Sequence, residues 1–227
     1  MAIRAPARAR AGSGQPAVGE TVTDIEEWLG GFERRHAFVV LGPDPAGGLD
    51  ARRVVLLHPP ELTGAAEALA TSSDFGLPWR ESGASPVAWE TLDRQRGQSA
   101  WREHWHVTGY RSFVRVEIPL PAERAFECFL FSEEELRDTD QAARLAWSIM
   151  GHWPVVRQEI QFTQSPLNER ERECLSLAFQ GFTASETAER MQIPERRVNS
   201  TYQQAMDKLQ APNKVAAIQR ACWLGAI

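Results

Sequence analysis

The stretch from Pro194 to Leu209, PERRVNSTYQQAMDKL, decides how the rest of the chain is read. On a helix of 3.6 residues per turn, Val198, Tyr202, Ala205, Met206 and Leu209 gather on one apolar face that must pack on something. The opposite face presents Arg196, Asn199, Ser200, Gln203 and Asp207. Asn and Gln can pair bidentately with an adenine edge, and Arg with a guanine edge or a phosphate, so this face suits a helix lying in a DNA major groove. Taken alone, the segment fits an ordinary solvated amphipathic helix equally well.

Its neighbours decide between the two. Asn168 precedes Glu171 by three residues and Thr183 precedes Glu186 by three, each a spacing at which side chains satisfy the free amides of a helix start. A first helix is expected from about Asn168 to Gly181, where glycine tolerates the left-handed conformation that ends many helices. A second is expected from Thr183 to Met191, with Ala188 small enough for a close helix crossing. Pro194 opens the third, since proline's missing amide has no partner in a first turn. A fourth runs from Asn213 to about Leu224. Two short helices, a tight turn and a polar-faced third helix have the order of a helix-turn-helix.

The segment LNERERECLSLAFQGFTASETAERMQIPERRVNSTYQQAMDKLQAPNKVAAIQRA resembles the C-terminal DNA-binding domain of LuxR-type transcriptional regulators. The matching positions are Leu167, Glu169, Arg170, Glu171, Leu175, Gly181, Ala188, Val198, Lys208, Leu209, Asn213 and Ala217, with Glu186 on the family's second-helix glutamate. Thr187 replaces the usual isoleucine, and Thr201 stands where many members have histidine. The resemblance implies DNA contacts at Arg197, Asn199, Ser200, Gln203 and Lys208; the helical-face argument adds Arg196.

Composition bounds the remainder. A chain of 227 residues with 43% hydrophobic content suits two domains with their own cores. No run of 18 apolar residues offers a membrane span. The Ala/Gly/Pro-rich start lacks the apolar stretch of a secretory signal and reads as a flexible tail over residues 1–20. Cys128, Cys174 and Cys222 are too widely spaced for a disulfide framework or a zinc ribbon, which fits a reducing cytoplasm. The net charge of −5 is unevenly divided: from Ser165 onward eight Lys/Arg face seven Asp/Glu, against 17 and 23 in residues 1–164. A nearly neutral DNA module makes few phosphate contacts and binds weakly alone, so dimerisation is expected.

In the N-terminal half, HAFVVL (36–41) and RRVVLL (52–57) are β-branched runs joined by GPDPAGGLDA, which carries no helix signal. That connection suits an antiparallel pair. A parallel pair needs a longer crossover, usually helical, and this disfavours a phosphorylated receiver domain. Further strands are expected at 86–89, 112–118 and 126–131. Helices are expected at 21–32, 61–71, 91–107 and 133–158, the last capped by Ser132 and Glu135. The fold class is therefore α+β: an α/β/α sandwich with an antiparallel sheet over residues 21–160, a linker at 161–166, and a four-helix domain at 167–227.

The N-terminal arrangement is similar to the autoinducer-binding domain of the same regulators, which holds an acyl-homoserine lactone between the sheet and one helix layer. Asp74 and Trp89 are spaced like the family's ligand-amide aspartate and pocket tryptophan. Yet Phe75 follows Asp74 where a proline is usual, ELTGAAEAL lacks the upstream Trp/Tyr pair, and Phe113 and Phe129 replace smaller residues. The candidate ligand pocket is Asp74, Trp89, Trp101, Phe113 and Phe129, with its ligand left open. The tryptophans are more often core than cage, and His104 and His106 diverge on a helix rather than form a metal site. No motif supports an enzyme or a cofactor. The expected function is a cytoplasmic, homodimeric regulator acting without the usual lactone on a palindromic operator in double-stranded DNA, with RNA polymerase as a further partner. The alternatives are an anti-activator forming mixed dimers and a sensor of a different small molecule.

Overall fold

The computed structural model describes residues 18–45, 47–48, 50–92 and 99–227; the side chains of residues 18–23 fall outside that set. The expected tail lies, through residue 17, outside the described residues. Strands β1 (His36–Pro43), β2 (Arg52–His58), β3 (Val87–Thr91), β4 (Ser112–Leu120) and β5 (Arg124–Ser132) form one sheet of order β2-β1-β5-β4-β3, every pair antiparallel. Alternation along the strands splits their side chains between two layers. Phe38, Val40, Val114, Val116, Phe126, Cys128 and Leu130 pack under α1 (Val18–Gly30) and α5 (Thr139–Gln164). Ala37, Val39, Leu41, Phe113, Phe129 and Phe131 face α2 (Thr63–Ala70), a short α3 (Leu77–Glu81) and α4 (Ala100–Val107).

Three local expectations need correction: two expected helices start later, and the expected linker at 161–166 lies within α5 as far as Gln164 because that helix runs on without a break. The long helix starts at Thr139 rather than 133, because Ser132 is the last residue of β5, paired with both His36 and Ser112, and cannot cap a helix. Asp138 caps it instead, accepting from the Gln141 amide at 2.8 Å. The helix expected over 91–107 begins only at Ala100; Thr91 belongs to β3, and 93–98 lie outside the described residues. Helix α3 was not anticipated: Asp50 Oδ1 accepts from the Leu77 amide at 2.6 Å, a cap from a residue distant in sequence.

The C-terminal region is helical throughout: α6 (Glu169–Phe179), α7 (Ala184–Met191), α8 (Glu195–Lys208) and α9 (Lys214–Trp223). Both reciprocal caps form, Asn168 with Glu171 and Thr183 with Glu186. Cys174, Leu175, Ala188, Val198, Tyr202, Ala205, Leu209, Ala217 and Ala221 are buried together in the core of this domain.

Candidate nucleic-acid interface and sensor face

Helix α8 is fixed from beneath. Val198, Thr201, Tyr202 and Ala205 are buried, the Tyr202 and Thr187 hydroxyls meet at 3.4 Å, and Ala188 lies in the α7–α8 crossing. Burial raises the Tyr202 phenol above its ordinary range, the Thr187 hydroxyl opposing that, so Tyr202 stays a neutral anchor. Thr201, at the position where histidine is common, donates to the Arg197 carbonyl at 2.8 Å and closes the helix flank.

On the outer side Arg196, Arg197, Asn199, Ser200, Gln203 and Lys208 are all exposed. Arg196, Arg197 and Asn199 engage no other side chain among the described residues, so their donors are available. Ser200 Oγ donates to the Arg197 carbonyl at 2.9 Å, and Gln203 Nε2 to Asp207 Oδ1 at 2.9 Å, which steadies both side chains on the helix surface. Lys208 is differently placed. Its ammonium pairs at 2.8 Å with Glu171 Oε2, the same oxygen that accepts the Asn168 amide, so it ties α8 to the start of α6. Sequence reasoning missed Lys214: its Nζ stands 5.1 Å from the centre of the Tyr202 ring, adding a cation beside α8. The Asn-Lys pair opening α9 was the available signal.

On the sensor face the polar anchor is occupied by the protein itself. Asp74 Oδ2 accepts from the Trp101 indole at 2.7 Å and lies 3.8 Å from Arg102 Nε. Phe113 and Phe129 point inward and are fully buried. Phe75 meets Trp101, Phe113 and Phe129 at ring-centre separations of 5.6, 5.9 and 5.2 Å, an interlocked cluster at edge-on and tilted angles. Trp89 does not belong with them. It pairs with Val114, packs in the α1/α5 layer, and leaves Glu90 on the side of Phe113. The expected pocket of Asp74, Trp89, Trp101, Phe113 and Phe129 therefore loses Trp89, because adjacent strand residues face opposite ways.

Beside the aromatic cluster runs a buried ionic chain that sequence reasoning did not find. Arg52 Nη1 reaches Glu127 Oε1 at 3.2 Å, Arg115 reaches Glu127 Oε2 at 3.2 Å and also bonds Glu117, and Arg80 lies 3.6 Å from Glu117. Arg115 sits between Phe75 and Trp79, 5.3 Å from each ring centre. The available signal was a charge set within each apolar strand: Arg52 in RRVVLL, Arg115 and Glu117 in SFVRVEI, and Glu127 in FECFLF. The chain links β2, β4, β5 and α3 through alternating charges, while Arg52 Nε, Arg80 Nε and Arg115 Nη1 are buried without a hydrogen-bond partner among the described residues.

The sigma-70, region 4 family matches residues 165–211, the span of the helix-turn-helix. No curated protein matches the chain in sequence. Among solved structures, SdiA in complex with octanoyl-rac-glycerol is 18% identical, with 91% of this chain and 88% of that one aligned at a TM-score of 0.50. Escherichia coli SdiA in another crystal form gives 20%, 94%, 93% and 0.48. The Vibrio cholerae VqmA dimer, described as a LuxR-type receptor, is 14% identical over 90% of this chain and 62% of its own, at a TM-score of 0.25. The fold over nearly the whole chain is that of SdiA. It joins an N-terminal sheet domain of the SdiA kind to a C-terminal helix-turn-helix.

Proposed function

We propose that this protein is a homodimeric, cytoplasmic transcriptional regulator that binds a palindromic operator through α8 and does so without an acyl-homoserine lactone. The observation that carries the reading is the outer face of α8. Free arginine and asparagine donors, with Gln203 and Ser200 beside them, stand on a helix whose inner face is locked into a helix-turn-helix core. Arg196, Arg197, Asn199, Ser200 and Gln203 are the proposed DNA contacts, with Lys214 as an added phosphate neighbour. Lys208 is reassigned to holding α8 against α6.

Two further features support the mode of action. Trp147 is 76% exposed and Met150 44% exposed on the outer side of α5, an apolar patch that suits a second copy of the chain. The Asp74 carboxylate is held by Trp101 and Arg102, and the aromatic cluster occupies the adjoining space, which disfavours a lactone held at Asp74. SdiA has been crystallised with octanoyl-rac-glycerol, so that compound and a lactone series are the appropriate probes. The test is expression without lactone, followed by melting and binding to a duplex selected by the protein from a randomised pool. Soluble protein with selective DNA binding, and no change on adding either probe, is expected. An insoluble protein rescued by a lactone would overturn the ligand-free reading, and Asp74 would become its amide partner.

A further inference from the structure

We infer that Trp223 and the β4–β5 turn form a releasable clamp that fixes the DNA-binding domain against the sheet domain, and that this clamp sets the spacing of the two recognition helices in a dimer. The second half rests on the function proposed above; the first does not.

The β4–β5 turn, Pro121 to Glu123, has Ala122 and Glu123 at φ of 58° and 57°, the paired left-handed geometry that joins twisted strands tightly. It presents the Pro121 carbonyl outward. Trp223, the last residue of α9, donates its indole N–H to that carbonyl at 3.2 Å. The Arg124 guanidinium lies 4.6 Å from the centre of the Trp223 ring and is itself anchored, donating to the carbonyls of Gly48 at 2.8 Å and Ala51 at 3.2 Å. A cation over an indole face is among the stronger contacts of its kind. Beyond α9, Gly225 turns with φ of 66° beside Phe126 and Ile160, and Arg157 Nη2 donates to the Ile227 carbonyl at 2.9 Å.

The contact is local rather than a continuous core. A groove of about 280 Å³ remains between the domains, lined by Leu120, Phe126, Trp153, Phe179 and Cys222 among others. Phe179 is more than half exposed there, and Trp223 is not part of the C-terminal domain's own core. A few point contacts thus hold the arrangement, and removing Trp223 leaves the helical core intact. The recognition face of α8 is exposed while the clamp is closed, so the clamp presents that helix rather than hides it. The same hairpin carries Phe113, Phe129, Arg115 and Glu127 along its strands.

The test compares the full chain with Trp223→Leu and Trp223→Phe. In the absence of DNA, small-angle scattering reports whether the domains separate, and circular dichroism reports whether the helices persist. Trp223→Leu is expected to enlarge the radius of gyration, with Trp223→Phe intermediate and helix content unchanged in both. With a selected duplex carrying two half-sites, Trp223→Leu is expected to bind about tenfold more weakly, and with a single half-site equally well, as loss of a fixed spacing requires. Unchanged scattering in both variants would overturn the clamp. Clear domain separation with equal binding to both duplexes would keep the clamp and overturn its role in spacing. No binding by the unaltered protein to either duplex would instead remove the proposed function.

Discussion

Asn199 and Gln203 differ from Arg197 in what they can report about DNA. An amide reads a base edge through two hydrogen bonds, whereas an exposed guanidinium at the helix start meets phosphate as readily as guanine. Asn199→Ala or Gln203→Ala should therefore cost about 1–3 kcal/mol on a selected duplex and relax preference at one position. Arg197→Ala should weaken selected and random duplexes alike and reduce the salt slope, both read from titrations at several salt concentrations. Lys208→Ala should act on the fold: Glu171 is buried, and losing its ammonium partner should lower stability by about 1–3 kcal/mol in chemical denaturation. Glu186 supplies a pH test. Hydrogen bonds from the Thr183 amide and hydroxyl hold its carboxyl below the ordinary value of 4.5. Its contribution is thus complete above that value and is lost as pH falls through the lower folded-state value. Glu186→Gln should flatten the acid side of the melting-temperature profile, and an unchanged profile would remove this group from the account. At this scale the buried face of α8 was legible because burial of Val198, Tyr202 and Ala205 follows from helical spacing alone. Trp89 was not legible, because whether it or Glu90 faces Phe113 depends on the β3–β4 register.

The β4–β5 hairpin is the central element of the sheet domain. Its inward face holds Phe113 and Phe129 in ring contact with Phe75, so Phe129→Ala should open a cavity and lower stability by about 3–5 kcal/mol. If that volume is what excludes an acyl chain, the same variant should gain thermal stabilisation from octanoyl-rac-glycerol that the unaltered protein lacks. Helix α5 offers the dimer test. Trp147→Glu places a charge in the exposed apolar patch and should shift the protein to a monomer in light scattering, without lowering its melting temperature. A dimer that persists would place the interface elsewhere. The elements were mostly readable, since the strands are short runs rich in β-branched or aromatic residues bounded by turn residues. The start of α5 was misread because Ser132 and Glu135 satisfy a capping pattern that a strand pairing overrides. The short α3 was invisible because its cap, Asp50, comes from a distant loop.

The whole molecule divides its charge. The acidity lies in residues 1–164, and the nearly neutral C-terminal part carries the proposed DNA contacts, so a single copy is expected to attract DNA weakly and the proposed selectivity calls for two copies. The order of the two domains was readable from composition and periodicity, whereas their mutual placement was not: nothing local in the sequence marks Trp223 as a partner of Pro121 and Arg124. The central claim is that α8 reads sequence in double-stranded DNA. The direct measurement is an anisotropy titration of the full chain at low salt against a two-fold-symmetric duplex selected from a random pool, with a scrambled duplex as control. The account predicts a preference of at least about tenfold for the selected duplex, lost in the Asn199→Ala/Gln203→Ala double variant. Equal binding to both duplexes, or selection that survives the double variant, would contradict it.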